Sequence, residues 1–178
     1  MDTLPIVVGS HAFFIADGTS FTSPEAGTVA REAKPDEDET NWATLGIIAV
    51  DGGSEIEPEE EYRDVMKYMP GRAVLYDKIL KSSKLKGTLE MEDFSALANQ
   101  LWLGGLAVTT GQFNPLERAA AVKGWLKLQV YDSLNNEVVV LDLYVCIRLS
   151  GALTLSGEVK PSYEWELLHS TLNTGTLS

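Results

Sequence analysis

Hydrophobic and polar residues alternate with a period of two over much of this 178-residue chain. The alternation is clearest over residues 122–131 and, after the turn Asp132 to Asn136, over residues 137–149. This pattern is typical of strands with one face on a core. Apolar side chains also occur on the second face of 137–149, which indicates that both faces of this hairpin are covered. Shorter runs predict further strands at 10–17, 42–50, 73–80 and 159–168.

The period changes once, inside the stretch KLKGTLEMEDFSALANQLWLGG, which covers residues 84–105. Residues 84–92 alternate, and from Asp93 the apolar residues follow at helical spacing: Phe94, Leu97, Ala98, Leu101 and Trp102. Asp93 can cap such a helix, and Gly104-Gly105 can end it. A short amphipathic helix must bury its stripe on a partner. The pattern therefore predicts a mainly β fold with two packed antiparallel sheets, a β-sandwich or barrel, one flanking α-helix near residues 93–103 and long loops.

Three segments are predicted to lie outside these elements of a single domain, 1–178. Residues 18–41 are rich in Gly, Ser, Thr, Pro and charge, and are interpreted as a flexible arm. Residues 51–71 are interpreted as a long acidic loop or extended hairpin, with a helical turn or two possible over 59–69; Pro58 is expected to break any strand there. Ser82-Ser83 is expected to form a turn, and residues 170–178 a loose tail.

Composition narrows the functional classes. The net charge is -12, with one cysteine, Cys146, and two histidines, His11 and His169. This charge argues against binding nucleic acid through its phosphates. The chain has no cysteine pair, no metal-binding histidine spacing, no nucleophile elbow and no glycine-rich nucleotide loop. No apolar run is long enough to span a membrane, and the N-terminus is a poor signal peptide. We therefore expect no enzyme activity, no metal, no cofactor and no membrane binding, with synthesis in a reducing cytoplasm.

Two features suggest assembly instead. Half of the acidic residues fall between Glu25 and Asp64, which concentrates negative charge on two loops. The 122–149 hairpin is expected to leave a patch partly uncovered in a monomer, formed by Trp125, Tyr131, Val138, Val140 and Tyr144. Such a patch is either a contact surface between subunits or the place where the helix packs.

The order of these parts resembles the major tail tube protein of long-tailed bacteriophages, a fold shared with the inner-tube proteins of type VI secretion. The family opens with a short strand and an arm, followed by a W-x-x-L-G-type strand, matched here by Trp42, Leu45 and Gly46. A long acidic loop, further strands and a single helix follow, and the closest match is GRAVLYDKILKSSKLKGTLEMEDFSALANQLWLGG. The resemblance implies that the chain forms hexameric rings, which stack into a hollow tube that conducts DNA into the host at ejection.

The resemblance also implies roles for particular residues. The ring-stacking loop would be residues 54–69, with the candidates Glu55, Glu57, Glu59, Glu60, Glu61, Tyr62, Arg63 and Asp64. The arms 18–41 and 170–178 would become ordered on assembly. The lumen would be lined either by Lys84, Lys86, Glu90 and Glu92 or by Lys127 and Gln129. DNA would pass without specific binding, and the partners would be further copies of the chain together with tape measure, tail terminator and distal tail proteins. The mature location would be the virion tail.

Other functions remain open from the sequence. Another virion ring protein, such as a tail terminator or a head-tail connector, would form a single ring and no tube. An inner-tube subunit of a secretion or injection machine would also assemble into a tube. A small-ligand-binding or hydrolytic β-barrel would need a pocket with convergent polar groups.

Overall fold

A computed structural model of the chain describes residues 7–17, 30–36, 42–49, 54–93, 95, 97–98, 101, 122–150 and 160–177. Eight β-strands lie in this part of the chain. They are β1 (Val7–Ala16), β2 (Ala43–Ile47), β3 (Glu55–Met69), β4 (Arg72–Glu90), β5 (Val122–Asp132), β6 (Glu137–Leu149), β7 (Ser162–Leu167) and β8 (Thr174–Leu177). The mainly β prediction is confirmed. No helix of the described residues is long and apolar enough to cross a bilayer.

All eight strands belong to one antiparallel sheet. The order is β2-β1-β5-β6-β7-β4-β3, and β8 pairs with the part of β6 that β7 leaves free. The prediction of two packed sheets is therefore wrong. The sheet curls instead, so that the chain just after β2 meets the chain just after β4, where Ile48 pairs with Met91. Two backbone bonds close this contact, from Ala49 N to Glu90 O at 2.8 Å and from Glu92 N to Ile47 O at 2.9 Å.

The curled sheet buries apolar side chains on both faces. One face holds the main core, whose largest fully buried members include Phe14, Leu45, Met91 and Leu126. The opposite face carries a smaller cluster of Ile15, Trp125 and Tyr144, on which Trp42, Leu168 and Leu172 pack. The apolar residues on the second face of β6 are thereby explained, and the prediction that both faces of this hairpin are covered is confirmed.

The predicted flanking helix is not established as an element. Among the described residues, helical backbone occurs only at Leu97, Ala98 and Leu101, all buried in the main core. The Ser95 hydroxyl accepts a hydrogen bond from Ala98 N at 2.9 Å, as an N-cap does. Asp93 does not take the predicted capping position, because its carboxylate accepts from Ile47 N at 2.8 Å. The remaining positions of 94–103 lie outside the described residues.

The predicted acidic loop, turn and tail are ordered as strands in the structure. Of the two alternatives for residues 51–71, a long loop and an extended hairpin, the hairpin is observed, since most of the segment is strand β3; β4 passes through Ser82-Ser83 without the predicted turn. Pro58 is accommodated in β3 because this strand is the last of the sheet, and a proline at an edge costs no sheet hydrogen bond. The predicted loose tail contains β8. Of the predicted arm, residues 30–36 are described and pack on the protein, whereas 18–29 and 37–41 lie outside the described residues.

Candidate assembly surface

The hairpin formed by β3 and β4 projects beyond the rest of the sheet. β4 pairs with β7 only from Lys86 to Glu90, whereas it pairs with β3 as far as the Met69–Arg72 pair at the tip. From Pro58 to Met69 the ribbon is thus two strands wide and roughly 40 Å long at the usual rise per residue. Strand directions place it at the end of the protein that carries the β5–β6 turn. A two-stranded ribbon in water is marginally stable alone, and among the described residues no further strand lies beside this one.

One face of the projecting hairpin is apolar. The register irregularities insert the extra residues into β4, so the even-numbered side chains of β3 share a face with their partners on β4. We call this the apolar face; its apolar members are Ile56, Pro58, Tyr62, Met66 and Tyr68 on β3 with Ala73, Leu75, Leu80 and Leu85 on β4, and Glu60, Asp64 and Lys78 lie among them. It continues the core side of the sheet, because Leu85 packs against the main core. Farther out Leu75 is 52% and Tyr68 83% exposed. Exposed apolar surface of this extent marks a contact site.

The odd-numbered side chains of β3 form a charged face near the base of the hairpin. There Lys86 lies 3.4 Å from Glu57 and 3.5 Å from Glu59, and these two carboxylates raise the pKa of the Lys86 ammonium. Farther out, Lys81 pairs with Glu61 at 2.7 Å. All eight predicted stacking residues, which lie between Glu55 and Asp64, are on the exposed strand β3. On the apolar face the Tyr62 hydroxyl donates to the Glu60 carboxylate, and this hydrogen bond raises the pKa of Tyr62.

Two glycines allow this hairpin to form. At Gly87 a Cβ atom would lie 2.5 Å from both Glu55 O and Trp165 Cζ2, so only glycine lets the buried Trp165 ring cross the base of the hairpin. At the tip Gly71 has φ +78°, a conformation that side chains other than glycine rarely adopt. The hairpin is anchored at its base by core packing and turned at its tip by a residue suited to the turn.

Most of the predicted contact patch on β5 and β6 is covered by the chain itself. Trp125 and Tyr144 are 0% and 1% exposed, and Val140 is buried, whereas Tyr131 and Val138 are half-buried. Trp125 Nε1 donates to Ala30 O at 3.1 Å, and the Tyr144 hydroxyl donates to Asp17 at 2.6 Å. The expectation of a patch left open in a monomer is wrong for the three buried residues, because the arm and the C-terminal segment pack over them.

A buried carboxylate ties these two segments to the sheet. Lys34 of the arm lies 2.6 Å from Asp142 of β6, and the same ammonium donates to Thr174 of β8 at 3.2 Å. Lys127, the neighbour of Asp142 across the strands, lies 3.8 Å from its other oxygen. The side chains of Lys127 and Asp142 are 6% and 4% exposed. Lys127 is therefore buried and cannot line a lumen in this conformation, contrary to the prediction.

The structure brings the two alternative sets of lumen residues to the same face of the sheet. The register connects Glu57, Lys86, Glu166, Cys146 and Lys123 in one row across five strands. Lys84 and Glu90 share this face through β4, and Lys127 and Gln129 share it through β5. Glu92, just past β4, is exposed, and Gln129 is half-buried and donates to Glu137 at 2.9 Å. The lumen role itself stays a prediction.

A cleft of about 360 Å³ lies on this face at the base of the hairpin. Its charged residues pair across strands: Arg148 with Glu164 at 2.8 Å, and Lys84 beside the cleft with Glu166 at 3.5 Å. Burial raises the pKa of the Cys146 thiol in its wall, which disfavours the reactive thiolate. Among the described residues no group of His, Cys, Asp and Glu could hold a metal ion. His11 hydrogen-bonds Thr44 at 3.0 Å, and His169 is exposed.

Sequence reasoning missed the apolar face of the hairpin. Its signal was present, because Ile56, Tyr62, Met66 and Tyr68 all occupy even positions among charged residues. The density of glutamates and the presence of Pro58 favoured a loop or an extended hairpin and obscured this alternation. An edge strand can contain both features, so neither excluded a strand.

Comparison with known proteins finds a similar fold among solved structures. No family model matches the chain, and no curated protein matches it. Among solved structures, the fold is similar to that of a chain in the cryo-EM structure of the anti-feeding prophage baseplate, 6-fold symmetrised. The TM-score is 0.51 and the sequence identity 12%, and the match covers 99% of this chain and 97% of that chain. At this identity the likeness concerns the fold.

Proposed function

We propose that the chain is a structural subunit of a phage tail or related injection machine, without catalytic activity, that assembles into stacked rings forming a tube. The observation that carries the proposal is the hairpin of β3 and β4, whose apolar face extends from the core side of the sheet into solvent. A single chain gains nothing from such a surface, whereas a neighbouring copy can bury it. The likeness to a baseplate chain over nearly the full length of both chains supports the same class of assembly.

The position of the hairpin favours head-to-tail contact. It projects from one end of the protein only, so its apolar face can reach the body of a neighbouring copy when the copies repeat in the same direction. A contact between two different surfaces of the same chain generates rings or open stacks. We place the apolar face against a copy in the next ring. The net charge of -12 suits a tube through which DNA passes without binding.

Truncation of the hairpin tests the proposal. Removing residues 60–83, which are partners in the register, and joining Glu59 to Lys84 through a two-residue turn leaves the strand pairs at the base intact. We expect the truncated chain to keep the fold and melting temperature of the body and to lose all assembly beyond single rings. Negative-stain electron microscopy and light scattering across concentration measure this. Normal tubes from the truncated chain would refute the role of the hairpin.

A matched control keeps the length of the hairpin but removes its apolar character. Replacing Tyr62, Leu75 and Tyr68 by Thr retains strand propensity and reduces only the apolar area. This variant should show the same defect as the truncation if burial of the apolar face drives stacking. Stacking of this variant at the wild-type concentration would instead assign stacking to the backbone edges of the hairpin.

A second candidate is a ring component that does not polymerise. The similar solved chain belongs to a baseplate, which favours this possibility. Electron microscopy separates the two candidates, because such a component gives single rings at every concentration and a tube subunit gives rods.

A further inference from the structure

We infer that the tip of the projecting hairpin, residues 65–76, binds the surface of an anionic phospholipid bilayer. The inference goes beyond the proposed function, because it concerns hairpins that no neighbouring copy covers. Such hairpins belong to free subunits and, in a stack of rings, to the last ring at the end towards which the hairpins point. The proposed stacking contact uses the apolar face alone, whereas a lipid interface surrounds both faces of the tip.

The tip carries apolar side chains on both of its faces. The apolar face contributes Met66, Tyr68, Ala73 and Leu75. The opposite face contributes Val65, Met69, Val74 and Tyr76. On this opposite face Tyr76 is 69% and Met69 46% exposed, so stacking through the apolar face leaves them in water. A flat protein surface covers one face of a ribbon, and an apolar surface on two faces therefore favours a surrounding medium such as the lipid interface.

The tip is also basic within an acidic protein. Residues 59–69 have a net charge of -2 and residues 72–84 a net charge of +3, whereas residues 65–76 contain Lys67 and Arg72 and no acidic residue. Along the strand, Val65 lies roughly 25 Å from Glu57 at the base of the hairpin. This distance exceeds the Debye length of about 8 Å at physiological ionic strength. The negative charge of the body is therefore screened at the tip, and anionic headgroups attract Lys67 and Arg72.

The residue types of the tip are those that prefer the boundary between water and lipid. Tyrosine is enriched at this boundary, because its ring is apolar and its hydroxyl group polar. Lysine and arginine bury their aliphatic stems there and keep the charge near the phosphates. The Lys67 ammonium lies 5.6 Å from the centre of the Tyr76 ring, and Tyr68 on the other face is 83% exposed. Each face thus presents a tyrosine, and one of them has a cation beside it.

Two features limit the depth of insertion. Among the described residues no strand pairs with the outer edges of the tip, and unpaired backbone groups do not enter hydrocarbon. Four charged residues also follow the tip towards the base, Arg63, Asp64, Asp77 and Lys78. Insertion therefore stops in the interfacial layer, at roughly 5–10 Å, which corresponds to the last two or three residue pairs. Such a contact needs no long apolar run, so the absence of one in the sequence does not exclude it.

Vesicle flotation with the full chain tests the inference. The chain is used at a concentration at which light scattering shows monomers, so that stacking does not cover the tip. Vesicles contain either phosphatidylcholine alone or equal parts of phosphatidylcholine and phosphatidylglycerol. We expect wild type to float with the anionic vesicles and to bind the neutral vesicles at least roughly tenfold more weakly.

Two variants change the tip and leave the apolar face intact. Lys67→Gln with Arg72→Gln removes both charges and should weaken binding to anionic vesicles roughly thirtyfold. Met69→Thr, Val74→Thr and Tyr76→Thr together retain strand propensity and should weaken it by roughly tenfold or more. The matched control, Lys81→Gln with Lys84→Gln, removes the same charge nearer to the base. This control should bind within about a factor of two of wild type, because these lysines lie beyond the Debye length from the bilayer.

The assembly of each variant is measured in parallel by light scattering and electron microscopy. Weakened vesicle binding by both tip variants, with unchanged melting temperature and assembly, supports the inference. Failure of wild type to bind anionic vesicles, equal binding to neutral ones, or equal weakening in the control variant would overturn it and leave the proposed function standing. A wild type that binds vesicles through the tip and stays monomeric at all concentrations would support the inference and contradict the proposed function.

Discussion

The protein contains two long hairpins built from the same local pattern, with opposite surroundings. The β5–β6 hairpin lies in the middle of the sheet, with the main core on one face and the arm and C-terminal segment on the other. The β3–β4 hairpin lies at the edge and projects into solvent on both faces. Its ion pairs are exposed, whereas the ion pairs of Asp142 are buried. The strand pattern alone therefore does not distinguish a hairpin that holds one chain together from a hairpin that is available to other chains.

The two hairpins should differ most in how much the free energy of unfolding falls when an aromatic side chain is truncated. Trp125→Ala removes a fully buried ring and should lower the free energy of unfolding of the monomer by about 3 to 5 kcal/mol. Tyr68→Ala removes a ring that is 83% exposed and should change it by less than about 0.5 kcal/mol. Urea denaturation at a concentration where the chain is monomeric measures both. A comparable loss in the two variants would show that the projecting hairpin is packed on the body of the free subunit.

The next largest difference is expected in how much stability is lost when an ion pair is broken. Asp142→Ala leaves the buried Lys127 without its carboxylate and frees Lys34, so we expect a loss of about 3 kcal/mol. Lys81→Ala breaks an exposed pair of similar length in the projecting hairpin and should cost less than about 1 kcal/mol. Limited proteolysis of the Asp142→Ala variant should also show earlier cleavage near residue 34 and in β8. Unchanged cleavage there would mean that Lys34 does not hold the two segments.

The smallest expected difference concerns pH. Burial and the bond to Asp17 raise the pKa of Tyr144 from 10.0 to about 12. Because the unfolded state releases this proton first, the contribution to stability is complete below pH 10 and is lost as the pH rises towards 12. Wild type should therefore lose stability over this range more steeply than Tyr144→Phe, by roughly 1 kcal/mol. Melting curves between pH 8 and 11.5 compare the two; equal slopes would show that Tyr144 is accessible to solvent. Tyr68→Phe, which changes a ring that is 83% exposed, is the control for an exposed tyrosine.

The sequence predicted much of the body of the fold. Alternation located β5 and β6 within one or two residues, and the apolar second face of β6 indicated cover on both sides. These predictions succeeded because the side-chain period of a strand is set locally by its backbone. The single domain and the tube role stay predictions, because the baseplate chain shows only a similar fold.

The candidate site was only partly predictable. Glu55 to Asp64 were predicted to lie in a long loop or an extended hairpin, because Pro58 and dense charge usually end strands, and the structure places them on strand β3 of a hairpin. Trp125 and Tyr144 were expected to be partly exposed, but their hydrogen-bond partners are distant in sequence: Ala30 of the arm for Trp125, and Asp17, just after β1, for Tyr144. Contacts of this kind leave no periodic signal.

The sequence by itself determined that residues 122–131 and 137–149 form strands, that both faces of the second strand carry apolar side chains, and how charge is divided between residues 59–69 and 72–84. Only the tertiary structure decided that these strands form one curled sheet, that residues 30–36 and β8 close over β6, and that no segment of the described part of the chain covers the β3–β4 hairpin. The physical reason is that backbone period and charge are local properties of the chain. Burial depends on which distant segments meet, and Lys127 and Lys81 illustrate this: both are lysines on alternating strands, one buried beside Asp142 and the other exposed beside Glu61.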